Sequence, residues 1–250
     1  MRSSEYCLLV SSFDKYSACW EPFTHGLQKY WPNHPRTVMI TNHLDAPRGI
    51  STIKIGEDRG WAGNLRYALQ LLSEEYIIYC QEDYWIKRPV EDALIQDYME
   101  LLREDKVDYI RLYPAPPPDI PCPGDERLGL IQPESQYRTS LQMAIWRKSV
   151  LMELLRDNET PWQFEVNGSE RSKKYQDRFL SVTKRRFGVD YVFTAIVNGY
   201  WSEKAYEYSR IEGIRICFES LPRKNVLTRM NDSIITFGYR VKKKIGWNKL

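Results

Sequence analysis

Tyr76–Trp85 reads YIIYCQEDYW, an apolar run that passes directly into two adjacent carboxylates, Glu82 and Asp83. A short, unbroken run rich in β-branched and aromatic residues fits a strand buried on both faces, the kind found inside a parallel sheet. Two neighbouring acids at its mouth cost on the order of several kcal/mol if they stay buried and unneutralised. A divalent cation would resolve that cost. Oxygen-rich sites select Mg²⁺ or Mn²⁺, ions that keep waters and bridge to phosphates. Glu82 and Asp83 are therefore candidate metal ligands, although acid pairs also follow strands in ordinary loops.

The flanking sequence supplies the rest of an α/β pattern. Trp61, Leu65, Leu69 and Leu72 recur at four and three residues, which puts them on one helical face just before the strand. After it, Pro89 opens a second helix with Glu91 and Asp92 in its first turn and Leu94, Tyr98, Leu101 and Leu102 on its apolar face. Upstream, YCLLVS at 6–11 reads as a buried strand opening into a loop, Ser11 to Asp14. A helix over 18–30 follows, then a strand at Thr37–Thr41 and a weaker one in STIKIGED. VDYIRLY at 107–113 is the next strand.

Alternating strands and helices of this length read as βαβ units around a largely parallel sheet, whose ligands bind at the carboxyl ends of strands. Six of the ten residues at 114–123 are proline, which predicts a stiff, strand-free loop. Strand character resumes at 140–146. A helix is expected around 150–156, a polar helix over 170–180 and a strand over 190–197.

Composition narrows the function classes. At 42% hydrophobic and 28% charged residues the chain is that of an ordinary globular protein, expected as one domain. Its net charge of +3, from 36 basic and 33 acidic residues, lacks the basic excess of a nucleic-acid binder, so no nucleic-acid partner is expected. The longest apolar runs are too short to span a bilayer, and the N-terminus has no apolar stretch of signal-peptide length. These features point to the cytoplasm. Five cysteines with no C-x-x-C pair indicate neither a zinc cluster nor a disulfide framework. His25, His34 and His43 recur every nine residues, a spacing that fits neither one helical face nor a metal site. No P-loop, dinucleotide fingerprint or nucleophile elbow occurs.

The stretch GWAGNLRYALQLLSEEYIIYCQEDYWIKRP, 60–89, resembles the segment before and through the acidic D-x-D-like motif of GT-A glycosyltransferases, especially bacterial enzymes of surface-polysaccharide assembly such as lipopolysaccharide and capsule. Glu82-Asp83-Tyr84 stands where many relatives carry Asp-Asp-Tyr or Asp-x-Asp, so which carboxylate touches the metal stays open. A second stretch, 140–171, resembles their acceptor-side segment, where an aromatic-acid motif follows a strand and helix; Trp162, Phe164 and Glu165 match it.

The resemblance implies a GT-A-like, Rossmann-like fold: a mixed, mostly parallel central sheet flanked by helices. It implies one catalytic domain over 1–238, with a nucleotide-sugar half at 1–113 and an acceptor half at 114–238. The activity implied is transfer of a sugar from a nucleotide-sugar donor to a saccharide or lipid-linked saccharide, inverting and assisted by Mn²⁺ or Mg²⁺. Ser11, Asp14, Asn64, Arg66, Glu82 and Asp83 would contact the donor, and Trp162, Phe164 and Trp201 the acceptor. Glu165 would take the proton of the acceptor hydroxyl, its basicity raised by the aromatics beside it. The alternative keeps Trp162 and Phe164 in the core and Glu165 in an ion pair. Arg111 is weighed as a phosphate contact against a salt bridge on a sheet face.

Two other functions share these features: a nucleotidyltransferase using the same acids, and an inactive GT-A-like protein that binds carbohydrate or acts as a scaffold. The loop Ser11 to Lys15 has no glycine, which counts against the first. The end of the chain, YRVKKKIGWNKL at 239–250, carries five basic residues and no acid. Such a tail suits peripheral contact with an anionic membrane face, and equally a solvated terminus.

Overall fold

A computed structural model describes residues 5–184 and 188–222. The basic tail and the boundary expected at 238 lie outside the described residues.

Strand β1 (Tyr6–Ser11) lies between β2 (Thr37–Thr41) and β4 (Tyr76–Gln81), parallel to both, and β3 (Ser51–Lys54) extends the sheet beyond β2. Side chains alternate across each strand and so divide the core into two layers. Leu8, Val10, Ile78 and Cys80 face one side with α1 (Trp20–Tyr30) and α3 (Asp92–Arg103). Cys7, Leu9, Ile77 and Tyr79 face the other with α2 (Gly60–Leu71). This first half follows the expected pattern. The helix of 60–72 forms because its apolar positions meet Leu9 and Ile77, and each fully buried Leu contributes roughly 1.5–3 kcal/mol.

Among the described residues the second half completes one nine-stranded sheet in the order β3-β2-β1-β4-β8-β5-β9-β7-β6. Here β5 is Tyr109–Arg111, β6 is Ile120–Cys122, β7 is Asp125–Leu130, β8 is Ala144–Arg147 and β9 is Phe179–Val182. Only β7 and β8 run against the other seven, so the sheet is mixed and mostly of one direction. The helix α4 (Lys148–Leu154) follows β8 and covers the α2 face.

Three expectations need correction. The proline-rich segment is not strand-free: β6 forms within it and pairs with β7, because an edge strand tolerates prolines that donate nothing. The helix expected over 170–180 ends early and gives way to β9. Arg138, fully buried, draws the carbonyls of Ser172 and Gln176 onto its guanidinium, and Gln176 adopts a φ of 40°. Phe179 then packs between Tyr109 and Trp146. The strand expected over 190–197 reduces to β10 (Ile196–Val197), paired with β11 (Tyr200–Trp201). Its other amides go elsewhere: Val192 donates to the Trp85 carbonyl and Ala195 to that of Asp83, so the segment wraps the loop after β4.

That loop is pinned from outside as well. Gly26 of α1 lies so close to Ile86 that a Cβ would stand 2.6 Å from its carbonyl oxygen. The same oxygen accepts the Tyr208 hydroxyl, from α7 (Glu203–Glu212), at 3.0 Å.

Candidate active site

Ser11 and Gln81, the last residues of β1 and β4, are register partners, and the chain leaves the sheet at both points on one edge. Two connected hollows open there. The first, about 240 Å³, is lined by Ser11, Ser12, Tyr16, Asp58, Asn64 and Glu82 among others. The second, about 520 Å³, shares Tyr16, Gln81 and Glu82 with it and continues past Asp83 to Trp162 and Glu165.

Glu82 and Asp83 form the floor at 8% and 7% exposure. Burial, then the adjacent Asp83 charge, pushes the Glu82 carboxyl well above its ordinary value. Burial also raises Asp83, against donors that favour its charge. The Thr194 hydroxyl and the Ile196 amide donate to Oδ2, whereas Oδ1 is buried without a partner among the described residues. Among the described residues no Lys or Arg lines either hollow. An orphaned carboxylate oxygen beside a second buried acid fits a divalent cation. Among the described residues no group of three His, Cys, Asp or Glu could hold one, so water and phosphate oxygens would complete the shell, as suits Mg²⁺ or Mn²⁺.

Glu165 approaches from the opposite wall. It lies in a chain of short helical pieces: α5 (Pro161–Gln163), begun by the capping box of Thr160 and Gln163, a π-helical turn over Phe164–Gly168, and α6 (Ser169–Ser172). A π turn frees carbonyls from the regular ladder, and hydroxyls collect them here: Thr139 donates to Phe164 O and Ser169 to Glu165 O. The Glu165 carboxylate accepts the Leu141 amide at 2.8 Å. Burial raises its pKa, and the Leu141 N–H and the Arg111 charge oppose that rise.

Of the residues singled out in the sequence, Ser11, Asn64, Glu82, Asp83, Trp162 and Glu165 border this continuous cleft. Four do not. Asp14 turns its carboxylate to the backbone amides of Asn42, His43 and Leu44; against the burial that raises it, those donors hold it below its ordinary value. Arg66 ties α2 to the chain after α4 through Asp157 and the Leu155 carbonyl. Phe164 is fully buried against Trp61 and Trp146, and Trp201, 2% exposed, packs on Trp85 and Phe218. Both aromatics belong to the core because they lie on the inner side of their segments, while Trp162, 70% exposed, stands at the rim.

Asn64 has a structural task too. Asp58 Oδ1 accepts the Gly60 amide and the Asn64 amide group, and Asn64 Oδ1 accepts the Arg59 amide, which together fix the start of α2. Sequence reading missed Tyr16, Asp58, Gln142 and Thr194. Tyr16 and Asp58 follow strand ends and were within reach of that rule; Thr194 meets Asp83 across 111 positions, with no local signal.

Against solved structures, the chain is similar to TarS 1–349 of S. aureus, with a TM-score of 0.51 and 12% identity over 83% of this chain and 64% of that one. The same protein in complex with UDP gives equal figures. The mannosyltransferase PcManGT of Pyrobaculum calidifontis, in complex with GDP-Man and Mn²⁺, gives 0.50 and 13% over 78% of this chain and 58% of that one. The fold is GT-A-like. The chain thus spans less than two thirds of the length of either neighbour. No protein-family model matches it, and no curated protein does.

Proposed function

We propose that this chain is a glycosyltransferase that moves a sugar from a nucleotide-sugar donor to a saccharide or lipid-linked saccharide, with inversion. The observation that carries the reading is the buried pair Glu82 and Asp83, with Asp83 Oδ1 unpartnered, at the mouth of a central strand. Solved neighbours of the same fold hold UDP in one case and GDP-Man with Mn²⁺ in another, which supports a nucleotide-sugar donor.

In this reading Glu82 and Asp83 hold Mn²⁺ or Mg²⁺, which when bound offsets negative charge on the departing diphosphate. Ser11 and Asn64 line the nucleotide side, and Trp162 offers a face to the acceptor sugar. Glu165 accepts the proton of the acceptor hydroxyl as its oxygen bonds to the anomeric carbon and the bond from that carbon to the diphosphate oxygen breaks. Burial raises the pKa of Glu165, which makes it a stronger base than an exposed carboxylate. The halves 1–113 and 114–238 then serve donor and acceptor.

Incubation of the purified chain with a panel of nucleotide sugars and Mn²⁺ tests the reading. Release of one nucleoside diphosphate, lost in Asp83→Asn, supports it. Indifference to every donor together with binding of free glycan would favour the carbohydrate-binding alternative, and diphosphate release unchanged in Asp83→Asn would remove the assigned site. Among the described residues no helix is long and apolar enough to cross a membrane. The tail at 239–250 is proposed as a peripheral contact with the inner membrane face, and its deletion should lower binding to anionic vesicles.

A further inference from the structure

Beyond Glu165 the cleft continues into a third hollow of about 440 Å³, within the range of about 300–1,000 Å³ usual for small-molecule sites. Glu165, Gln142 and Phe193 line both this lobe and the one holding Asp83, so Glu165 stands at the passage between them. The two sides differ in charge. Among the described residues the lobes around β1 and β4 carry Asp58, Glu82 and Asp83 and no basic residue. The third lobe has Lys184 in its lining, and among the described residues Glu165 is its only carboxylate.

More positive charge lies directly behind its wall. Arg111, fully buried, donates to the carbonyls of Pro116 and Tyr137, both lining residues, and to the Arg138 carbonyl and the Tyr109 hydroxyl. Among the described residues neither Arg111 nor Lys184 forms an ion pair. Lys204 lies over Phe193, which borders both lobes, with its Nζ 5.5 Å from the centre of the ring. A buried guanidinium acts through a medium that screens it weakly, and the charge of Arg111 is felt by Glu165 at the passage.

Hydrogen-bond donors point the same way. Tyr191 accepts the Met143 amide and gives its own proton to Gln142 Oε1 at 2.7 Å, which orients the Gln142 amide so that its NH₂ remains for a ligand in the cleft. Phe193, Tyr137 and the shelf at 114–117 provide apolar faces of the sort sugar rings pack against.

We propose that this lobe binds an oxyanion carried by the acceptor, a phosphodiester or a uronate, on the unit next to the one whose hydroxyl reacts. The inference rests on the acceptor reading of Glu165 given above and narrows it: the acceptor is an anionic chain at least two units long.

The test is a chemical-shift titration of the full chain, read at the Lys184 and Phe193 amides, with three probes at equal ionic strength: dimethyl phosphate, methyl β-D-glucuronide and methyl β-D-glucoside. Saturable shifts are expected with one or both anions and not with the glucoside, about tenfold weaker in Lys184→Ala and weaker again at high salt. Which anion binds names the source of the charge. Equal binding of the glucoside, no binding of any probe, or anion binding unchanged in Lys184→Ala overturns the proposal. Nucleoside diphosphate with Mn²⁺, read at Tyr16 and Asn64 of the same sample, reports the donor side separately. Anion binding without nucleotide binding removes the transferase reading and leaves the oxyanion lobe standing; the reverse removes only the lobe.

Discussion

The Thr194 hydroxyl donates to Asp83 Oδ2, and the Ile196 amide donates to the same oxygen at 3.3 Å. A segment 111 residues downstream thereby turns one carboxylate edge inward and leaves Oδ1 without a partner beside Glu82. Those two donors offset part of the cost of burying the acid pair, and among the described residues no basic side chain in the lining offsets the rest.

That cost should appear as a pH dependence. Folded carboxyls raised above their ordinary values of 3.8 and 4.5 favour the protonated form, so their contribution is most favourable below those values and is lost as pH rises through the raised pKa. With EDTA present, the urea midpoint should fall as pH is raised from about 4 towards neutrality. Saturating Mn²⁺ should flatten the fall, and the double variant Glu82→Gln, Asp83→Asn should lack it. An identical slope in wild type and double variant would remove the strained pair.

Glu165→Gln keeps the size of the side chain and removes its basicity. Turnover should drop about 10²–10⁴-fold while nucleoside diphosphate affinity holds, the magnitude expected when a general base is lost. A change confined to donor affinity would place Glu165 on the wrong side of the reaction.

Phe164 and Trp162, two positions apart, should respond in opposite ways. Phe164→Ala removes a fully buried ring between Trp61 and Trp146 and should destabilise the fold by about 3–5 kcal/mol. Trp162→Ala, at an exposed site, should change stability by no more than about 0.5 kcal/mol and raise KM for the acceptor. Denaturation midpoints and steady-state kinetics of the two variants check the pair.

Glu212 joins the end of α7 to α1, accepting from His25, Lys29 and the Tyr30 hydroxyl. Against the burial that raises it, Lys29, Tyr30 and His25 bring its pKa from 4.5 down to about 2. A lowered carboxyl stabilises the fold above its unfolded value, and that contribution is lost as pH falls from 4.5 towards 2. Glu212→Gln should be less stable at pH 7 and lose less between those values. Parallel acid limbs for the two proteins would contradict this.

The first half of the fold was legible because its signals are local. Parallel strands such as 6–11 and 76–81 are apolar throughout, and the helix at 60–71 shows its period within a dozen residues. The acid pair was legible for the same reason: charge at the end of an apolar run is visible without knowing the partners. The second half depends on contacts that sequence spacing does not show. Arg138 ends a helix by collecting carbonyls at 172 and 176, and Thr194 and Ala195 join the Asp83 loop instead of a sheet. The aromatic-acid motif led to Glu165, which lines the cleft, yet the motif alone could not tell Trp162 on the rim from Phe164 in the core, because which side of this short helical chain is covered is set by Trp61 and Trp146, which lie outside it in sequence.

The central claim is that Glu82 and Asp83 share a cation with a nucleotide pyrophosphate. Calorimetric titration of UDP and GDP into the chain, with Mn²⁺ and then with EDTA, measures it most directly. One nucleotide should bind in Mn²⁺, lose that binding in EDTA, and bind at least about tenfold more weakly to Asp83→Asn. Equal affinity in EDTA and in the variant, or no binding of either nucleotide, would contradict the claim.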